Sequence, residues 1–143
     1  METTPHERQR SEAITVITVD DQAVFRRVAC DVIAATPGFE TIGEAESGEE
    51  ALRLVAEVAP ALVLLDLRMP GMDGVETAHQ IAKTRPEAVI VLITIEGPEA
   101  LPPGVASCGA VAVARKQDFG PRLLRRLWEA YGPVPHSRAP AVE

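Results

Sequence analysis

Four short, almost entirely apolar runs constrain the fold of this chain more than any other feature. They are Ile14 to Val19, Ala61 to Leu65, Ala88 to Ile93 and Val111 to Ala114. Because these runs do not alternate regularly with charged residues, each predicts a strand that is buried on both faces of a sheet. A weaker strand is expected at Phe39 to Ala45, where Glu40, Gly43 and Glu44 interrupt the run, and this composition suits the edge of a sheet.

Segments with helical spacing lie between the predicted strands. Their apolar stripes are Phe25, Val28, Ala29 and Val32; Leu52, Val55 and Val58; Val75, Ala78, Ile81 and Ala82; and Leu124, Leu127, Trp128 and Tyr131. Ser47 to Glu50 has the pattern of a capping box at the start of the second helix. Strand and helix alternate five times, which predicts a parallel sheet with right-handed crossovers and helices on both faces.

The connection between the fourth and fifth strands departs from this pattern. Residues 96–109 contain three prolines and three glycines. An interior proline costs an α-helix about 3 kcal/mol, so we expect the fourth helix to be short or broken.

Length and composition narrow the class of protein. A chain of 143 residues suits one domain, expected at residues 13–131, with a flexible tail at 1–12 and a Pro/Ala-rich tail or linker start at 132–143. The net charge of −7 argues against a nucleic-acid or anionic-membrane partner. Two cysteines are too few for a disulfide framework, and the first apolar run is too short for a signal peptide or membrane span. We therefore expect a cytoplasmic protein.

Polar residues follow the strands at the edge where an open parallel sheet binds ligands. They are Asp20, Asp21, Asp66, Thr94 and Lys116. Carboxylates about 4 Å apart repel by roughly 1 kcal/mol in water and by up to about 4 at an effective dielectric of 20, so three of them require a counter-ion, for which Mg²⁺ is suited. Beside such an ion an ionised aspartate can attack phosphorus, while a hydroxyl and an ammonium stabilise the phosphoryl oxygens. Taken singly, Asp20 or Asp21 could instead be a helix cap.

Several motifs resemble the receiver domain of two-component response regulators. They are Val-Asp-Asp at 19–21, Leu-Leu-Asp-Leu-Arg-Met-Pro-Gly-Met-Asp-Gly at 64–74, Thr94 and Lys116. Gly-Glu-Ala-Glu-Ser-Gly-Glu-Glu-Ala-Leu at 43–52 is most similar to the NarL/FixJ branch. The resemblance implies an α/β, flavodoxin-like (CheY-like) doubly wound sheet of five parallel strands in the order 2-1-3-4-5.

The resemblance also implies a role for each site residue. Asp66 would be the phosphoacceptor for a sensor histidine kinase, and Thr94 and Lys116 would bind the phosphoryl group. Asp21 would bind Mg²⁺ directly and Asp20 mainly through water, together with Asp66 and the backbone carbonyl of Arg68. Such a domain is a conformational switch and not a turnover enzyme.

The sequence departs from the family beside the site. Gln117 replaces the usual proline after Lys116, so we expect a trans peptide there, with the ammonium either reaching the site by another rotamer or lying farther away. Val113 replaces an aromatic residue of the family's switch, and Ile95 replaces a small residue. We also expect Arg68 and Glu96 to form an ion pair at the entrance to the site.

Two other function classes follow from these departures and from the aspartate chemistry. One is a receiver-like interaction module that works without phosphorylation. The other, an aspartyl phosphatase of the haloacid-dehalogenase pattern, needs an acid at the position of Arg68 and is therefore disfavoured. Three arginines on the last helix form either a solvated face or the surface for a homodimer or output partner: Arg122, Arg125 and Arg126.

Overall fold

Five parallel strands form one sheet in a computed structural model that describes residues 12–133. The strands are β1 (Ile14–Val19), β2 (Phe39–Ala45), β3 (Leu62–Asp66), β4 (Val89–Thr94) and β5 (Ala112–Arg115). Their order is β2-β1-β3-β4-β5, which confirms the predicted topology and the position of β2 at an edge. Nearly all of the two predicted tails, 1–12 and 132–143, lies outside the described residues.

Four α-helices cover the two faces of the sheet. They are α1 (Ala23–Ala34), α2 (Gly48–Val58), α3 (Gly74–Thr84) and α4 (Pro121–Tyr131). Alternate residues of the central strands enter two separate cores, as the pleat of a strand requires. Val63 and Leu65 pack on the side of α2 and α3, whereas Leu62 and Leu64 pack on the side of α1 and α4. The predicted doubly wound architecture is therefore confirmed.

The apolar stripes of the helices are mostly confirmed, with two exceptions. Val28 of α1 is 43% exposed and Tyr131 of α4 is 47% exposed, so neither lies in the core. In α1 the buried positions are Ala29 and Ile33. Val28 and Ile33 both fit helical spacing. Which of the two is buried depends on which side of the helix packs against the sheet.

The connection between β4 and β5 contains no α-helix. It has two short 3₁₀ turns, Pro98–Ala100 and Val105–Ser107, and Gly104 between them adopts a φ of 91°. The predicted interruption of the fourth helix is confirmed. Leu101 and Val105 still pack against the core, so the segment stays on the surface of the domain.

The start of α2 differs in one bond from the predicted capping box. The Ser47 hydroxyl accepts a hydrogen bond from the Glu50 N–H at 3.1 Å, as expected. The Glu50 carboxylate, however, accepts from the Glu46 N–H at 2.6 Å instead of returning to Ser47. Among residues 12–133, none of the helices is both long enough and apolar enough to cross a membrane.

Candidate metal and phosphoryl site

Three carboxylates converge at the carboxyl ends of β1 and β3. One oxygen from each of Asp20, Asp21 and Asp66 lies within 4.8 Å of the others. Asp20 is fully buried and Asp66 is 5% exposed, whereas Asp21 faces solvent. The structure therefore brings together the acidic residues that the sequence singles out, with one of them open to an incoming ligand.

Asp20 is held in a local turn and does not cap a helix. Its Oδ1 accepts a hydrogen bond from the Gln22 N–H at 2.8 Å. The N-cap of α1 is Gln22, which makes no side-chain capping bond within the described residues. The alternative interpretation of Asp20 or Asp21 as the helix cap is therefore wrong.

Lys116 contacts two of the carboxylates. Its Nζ lies 2.8 Å from Asp20 Oδ2 and 3.6 Å from Asp66 Oδ1. The Asp20 contact lacks hydrogen-bond alignment, since Oδ2 has no hydrogen-bond partner in the described structure, so it is an ion pair. The same ammonium lies 4.8 Å from the centre of the Phe25 ring, a cation–π contact that the sequence did not indicate.

The backbone beside Lys116 agrees with one sequence prediction. No peptide bond within residues 12–133 is cis, so Gln117 follows a trans bond as expected. The Lys116 ammonium lies near the carboxylates in spite of the trans bond, with its Nζ 3.6 Å from Asp66 Oδ1. A 3₁₀ turn at Lys116–Asp118 carries the chain onward to α4.

The Asp66 carboxyl has an unusual proton affinity. Burial and the neighbouring charge of Asp20 raise its pKa from 3.8 to about 6, although Lys116 and a backbone hydrogen bond from Arg68 act in the opposite direction. A cation placed between the carboxylates would favour the ionised form. Ionised Asp66 is the form that can act as a nucleophile.

We expect the metal-free protein to lose stability as the pH rises from about 4 to about 6. Since the pKa of Asp66 is about 6 when folded against 3.8 ordinarily, the folded state binds the proton more tightly, and the free energy of unfolding falls across this interval. The ¹³C chemical shift of the Asp66 carboxyl in EDTA should titrate with a midpoint near 6. In Asp66→Asn, this part of the pH dependence of urea unfolding should be absent. A midpoint near 4 would contradict the raised pKa of Asp66.

Thr94 and the loop that follows it form another wall. Thr94 is 2% exposed, and its hydroxyl accepts a hydrogen bond from the Glu96 N–H at 3.0 Å. A hydroxyl has one donor and two acceptor positions, so its proton remains free to bond an anion.

The predicted ion pair between Arg68 and Glu96 is confirmed, with Arg68 Nε 2.8 Å from Glu96 Oε1. Arg68 Nη2 also donates to the Ala100 carbonyl at 2.9 Å, a bond that sequence spacing did not predict.

A shallow cavity of about 190 Å³ opens where these groups meet. Its lining consists of Asp21, Gln22, Asp66, Arg68, Thr94, Ile95, Glu96 and Lys116. At about 30 Å³ for each water in the liquid, this volume has room for about six water-sized groups, which suits a hydrated cation or a phosphoryl group. Ile95 is 68% exposed and lies at the mouth, and Gln22 is a lining residue that the sequence analysis missed.

Comparison with known proteins gives the same family as the motifs. Residues 16–127 match the family model of the response regulator receiver domain. The response regulator GacA from Pseudomonas viridiflava is 31% identical over 103 residues, which cover 72% of this chain and 48% of GacA. This chain therefore spans about half the length of that relative.

Solved structures show the same likeness. The receiver domain of the response regulator NarL from Mycobacterium tuberculosis superposes with a TM-score of 0.76 at 26% identity, covering 83% of this chain and 96% of that one. A chain of the CheX-CheY-BeF3-Mg²⁺ complex from Borrelia burgdorferi superposes with a TM-score of 0.73 at 26% identity, covering 82% of this chain and 88% of that one. With the strand order and the grouped aspartates, these matches establish that the chain belongs to the response regulator receiver domain family.

Proposed function

We propose that this domain is a Mg²⁺-dependent phosphoryl acceptor of a two-component system, with Asp66 as the residue modified. The observation that carries the proposal is the cluster of three carboxylates, Asp20, Asp21 and Asp66, beside one cavity. Asp21, Asp66, the buried hydroxyl of Thr94 and the ammonium of Lys116 line that cavity. A sensor histidine kinase would be the donor, and the cytoplasm would be the compartment. The domain would act as a switch and not as a turnover enzyme, without nucleic acid or a membrane as the partner of this chain.

Phosphoryl transfer in this site requires one bond to form and one to break. An Asp66 oxygen attacks phosphorus, the phosphorus–nitrogen bond of the donor phosphohistidine breaks, and the imidazole leaves with a proton from solvent. Bound Mg²⁺ would neutralise charge between the carboxylates and the phosphoryl oxygens. The residues that would hold it are Asp20, Asp21, Asp66 and the carbonyl of Arg68.

Lys116 and Thr94 would bind the new phosphoryl group. The Lys116 ammonium lies 3.6 Å from Asp66 Oδ1, so a small rotation of its side chain brings it to an oxygen of the acyl phosphate. The Thr94 hydroxyl keeps its bond from the Glu96 N–H and donates its own proton. Both groups are donors aimed at developing negative charge.

The CheX-CheY-BeF3-Mg²⁺ complex supports the ligand chemistry of this proposal. By its own description, that complex contains beryllium fluoride and Mg²⁺ together with CheX and CheY. For this chain, ¹⁵N spectra recorded with Mg²⁺ and beryllium fluoride should shift the resonances around the cavity. In Asp66→Asn already saturated with Mg²⁺, beryllium fluoride should cause no further shift.

One set of observations favours a second function, an interaction module that does not use phosphorylation. Val113 lies in β5 beside a cavity of about 340 Å³ that Thr94, Leu101 and Leu127 also line, and the residues that line this cavity include no aromatic ring. Lys116 is also closer to Asp20 than to Asp66. Wild-type spectra that do not respond to Mg²⁺ and beryllium fluoride would contradict the phosphoryl-acceptor function and favour this second one.

The last helix offers a surface for the output of the signal. Arg122, Arg125 and Arg126 are all exposed, and together with Pro121 and Glu129 they line a shallow depression of about 300 Å³. We propose that an acidic face of an output partner or of a second copy binds there. A phosphorylation response that is unchanged after the three arginines are neutralised would contradict this route.

We expect the acyl phosphate to be lost faster in the double variant Ile95→Ala, Glu96→Ala. Both side chains line the cavity that Asp66 also lines, where they would limit the access of water to the acyl phosphate. Because an exposed ion pair contributes at most about 1 kcal/mol, the rate should rise no more than about fivefold. Phosphoprotein decay followed by intact mass measures the rate. Glu99→Ala, an exposed change outside the cavity lining, should decay at the wild-type rate.

A further inference from the structure

Arg26, at the start of α1, connects the edge strand β2 to the aspartate loop. Its Nε donates to Glu44 Oε1 at 3.0 Å, and its Nη1 donates to the backbone carbonyl of Asp20 at 2.6 Å. The other Glu44 oxygen accepts from Cys30 Sγ at 3.4 Å, so Glu44 itself is held from two sides. The Arg26 side chain is only 16% exposed.

These bonds fix both sides of the Asp20 backbone. The Asp20 N–H donates to the Ala45 carbonyl on β2 at 3.0 Å, and its carbonyl receives Arg26. The Asp20 carbonyl belongs to the same planar peptide as the Asp21 N–H, so holding the oxygen sets the orientation of that plane. The exposed carboxylate of Asp21 leaves the chain immediately after this peptide.

Arg26 carries a positive charge beside an acidic site, so its charge and its hydrogen bonds can have different effects on metal binding. A positive charge near a cation site opposes the binding of a dication by simple Coulomb repulsion. Glu44 offsets part of this charge, since its carboxylate lies against the guanidinium. The two directed bonds, in contrast, use the planar fork that arginine has and lysine lacks. Geometry and charge therefore predict opposite effects on metal binding.

We infer that Arg26, held by Glu44, is a positioning residue for divalent-cation binding, because it orients the Asp20–Asp21 peptide and with it the Asp21 carboxylate. The inference rests on the proposed function, in which Asp21 is a direct Mg²⁺ ligand. Groups that orient metal ligands typically change metal affinity 10- to 100-fold when they are removed.

The test is a titration of the metal-free protein with MgCl₂ alone, followed by the Asp21 and Asp66 amide resonances. Arg26→Gln should weaken Mg²⁺ binding by about tenfold or more. Arg26→Lys keeps the charge but cannot make both bonds at once, so it should also bind Mg²⁺ more weakly than the wild type. Arg27→Gln is the matched control, because Arg27 is exposed and has no hydrogen bond or ion pair to residues 12–133. It should bind Mg²⁺ as tightly as the wild type or slightly more tightly.

The outcomes separate this inference from the proposed function. If the wild type binds Mg²⁺ and Arg26→Gln binds it equally or more tightly, Arg26 acts only through its charge and the inference is wrong. If the wild type does not bind Mg²⁺, the proposed function itself is contradicted. Glu44→Gln provides a second variant should Arg26→Gln unfold, and it should weaken Mg²⁺ binding in the same direction. Thermal unfolding in EDTA shows that each variant is folded.

Discussion

Lys116→Ala should lower the free energy of unfolding of the metal-free protein by about 3 kcal/mol. Its ammonium lies 2.8 Å from Asp20 Oδ2, and Asp20 has no exposed surface. Removing one member of a buried ion pair leaves the other charge uncompensated, which costs about 3 to 5 kcal/mol. We expect the lower end of this energy range because Lys116 is 15% exposed and Asp20 keeps the hydrogen bond from the Gln22 N–H. Urea unfolding in EDTA measures the loss.

Mg²⁺ should restore part of the stability that Lys116→Ala removes. The cation would take over the role of counter-ion for the carboxylates, and any ligand that binds only the folded state stabilises it. Lys83→Ala, an exposed lysine at the end of α3, serves as the control and should change stability by less than about 0.5 kcal/mol. Equal stability of Lys116→Ala and Lys83→Ala in EDTA would show that the ion pair does not compensate Asp20.

Gly74→Ala should destabilise the domain by about 3 kcal/mol and displace the phosphoacceptor. A Cβ at Gly74 would lie 2.5 Å from the Asp66 carbonyl oxygen and 2.7 Å from Leu67 Cα, and neither backbone atom can move aside by rotating a side chain. Overpacking typically costs about 1 to 3 kcal/mol, and the upper end applies where backbone must shift. The Gly74 N–H also donates to the Leu67 carbonyl at 2.9 Å, so the shift would disturb the loop after β3.

Gly120→Ala is the matched control for Gly74→Ala. A Cβ at Gly120 would meet nothing within 4 Å. As the N-cap of α4, this position should lose less than about 1 kcal/mol. Chemical unfolding compares the two variants, and the Asp66 amide resonance reports the displacement. A Gly74→Ala protein as stable as Gly120→Ala would mean that the close approach does not constrain the loop.

The central part of the fold was predictable because burial leaves a simple pattern in the sequence. A run such as Leu62 to Leu65 is apolar throughout, since both of its faces are covered. The proline-rich connection after β4 was predictable from the chemistry of proline alone. In α1, spacing could not separate Val28 from Ile33, because that choice depends on how the helix lies against the sheet.

The site residues that directly follow strands could be predicted from the sequence. The residues that hold those site residues in place could not be predicted as well. Asp20, Asp66 and Lys116 come together because parallel strands end at one edge of the sheet. The bond from Arg26 to Glu44 depends on the register of β1 with β2, which shifts between Val16 and Ile17. The spacing of residues in the sequence does not predict that shift in register. The preference of Lys116 for Asp20 over Asp66 depends on a side-chain position and was likewise invisible in the sequence.

Intact-mass analysis after incubation with acetyl phosphate and Mg²⁺ tests the central claim most directly. We predict a single phosphoryl adduct on the wild type, no adduct when EDTA replaces Mg²⁺, and no adduct on Asp66→Asn. Peptide mapping should place the adduct at Asp66. An adduct that persists in Asp66→Asn, or a wild-type protein that remains unmodified with Mg²⁺ present, would contradict the account.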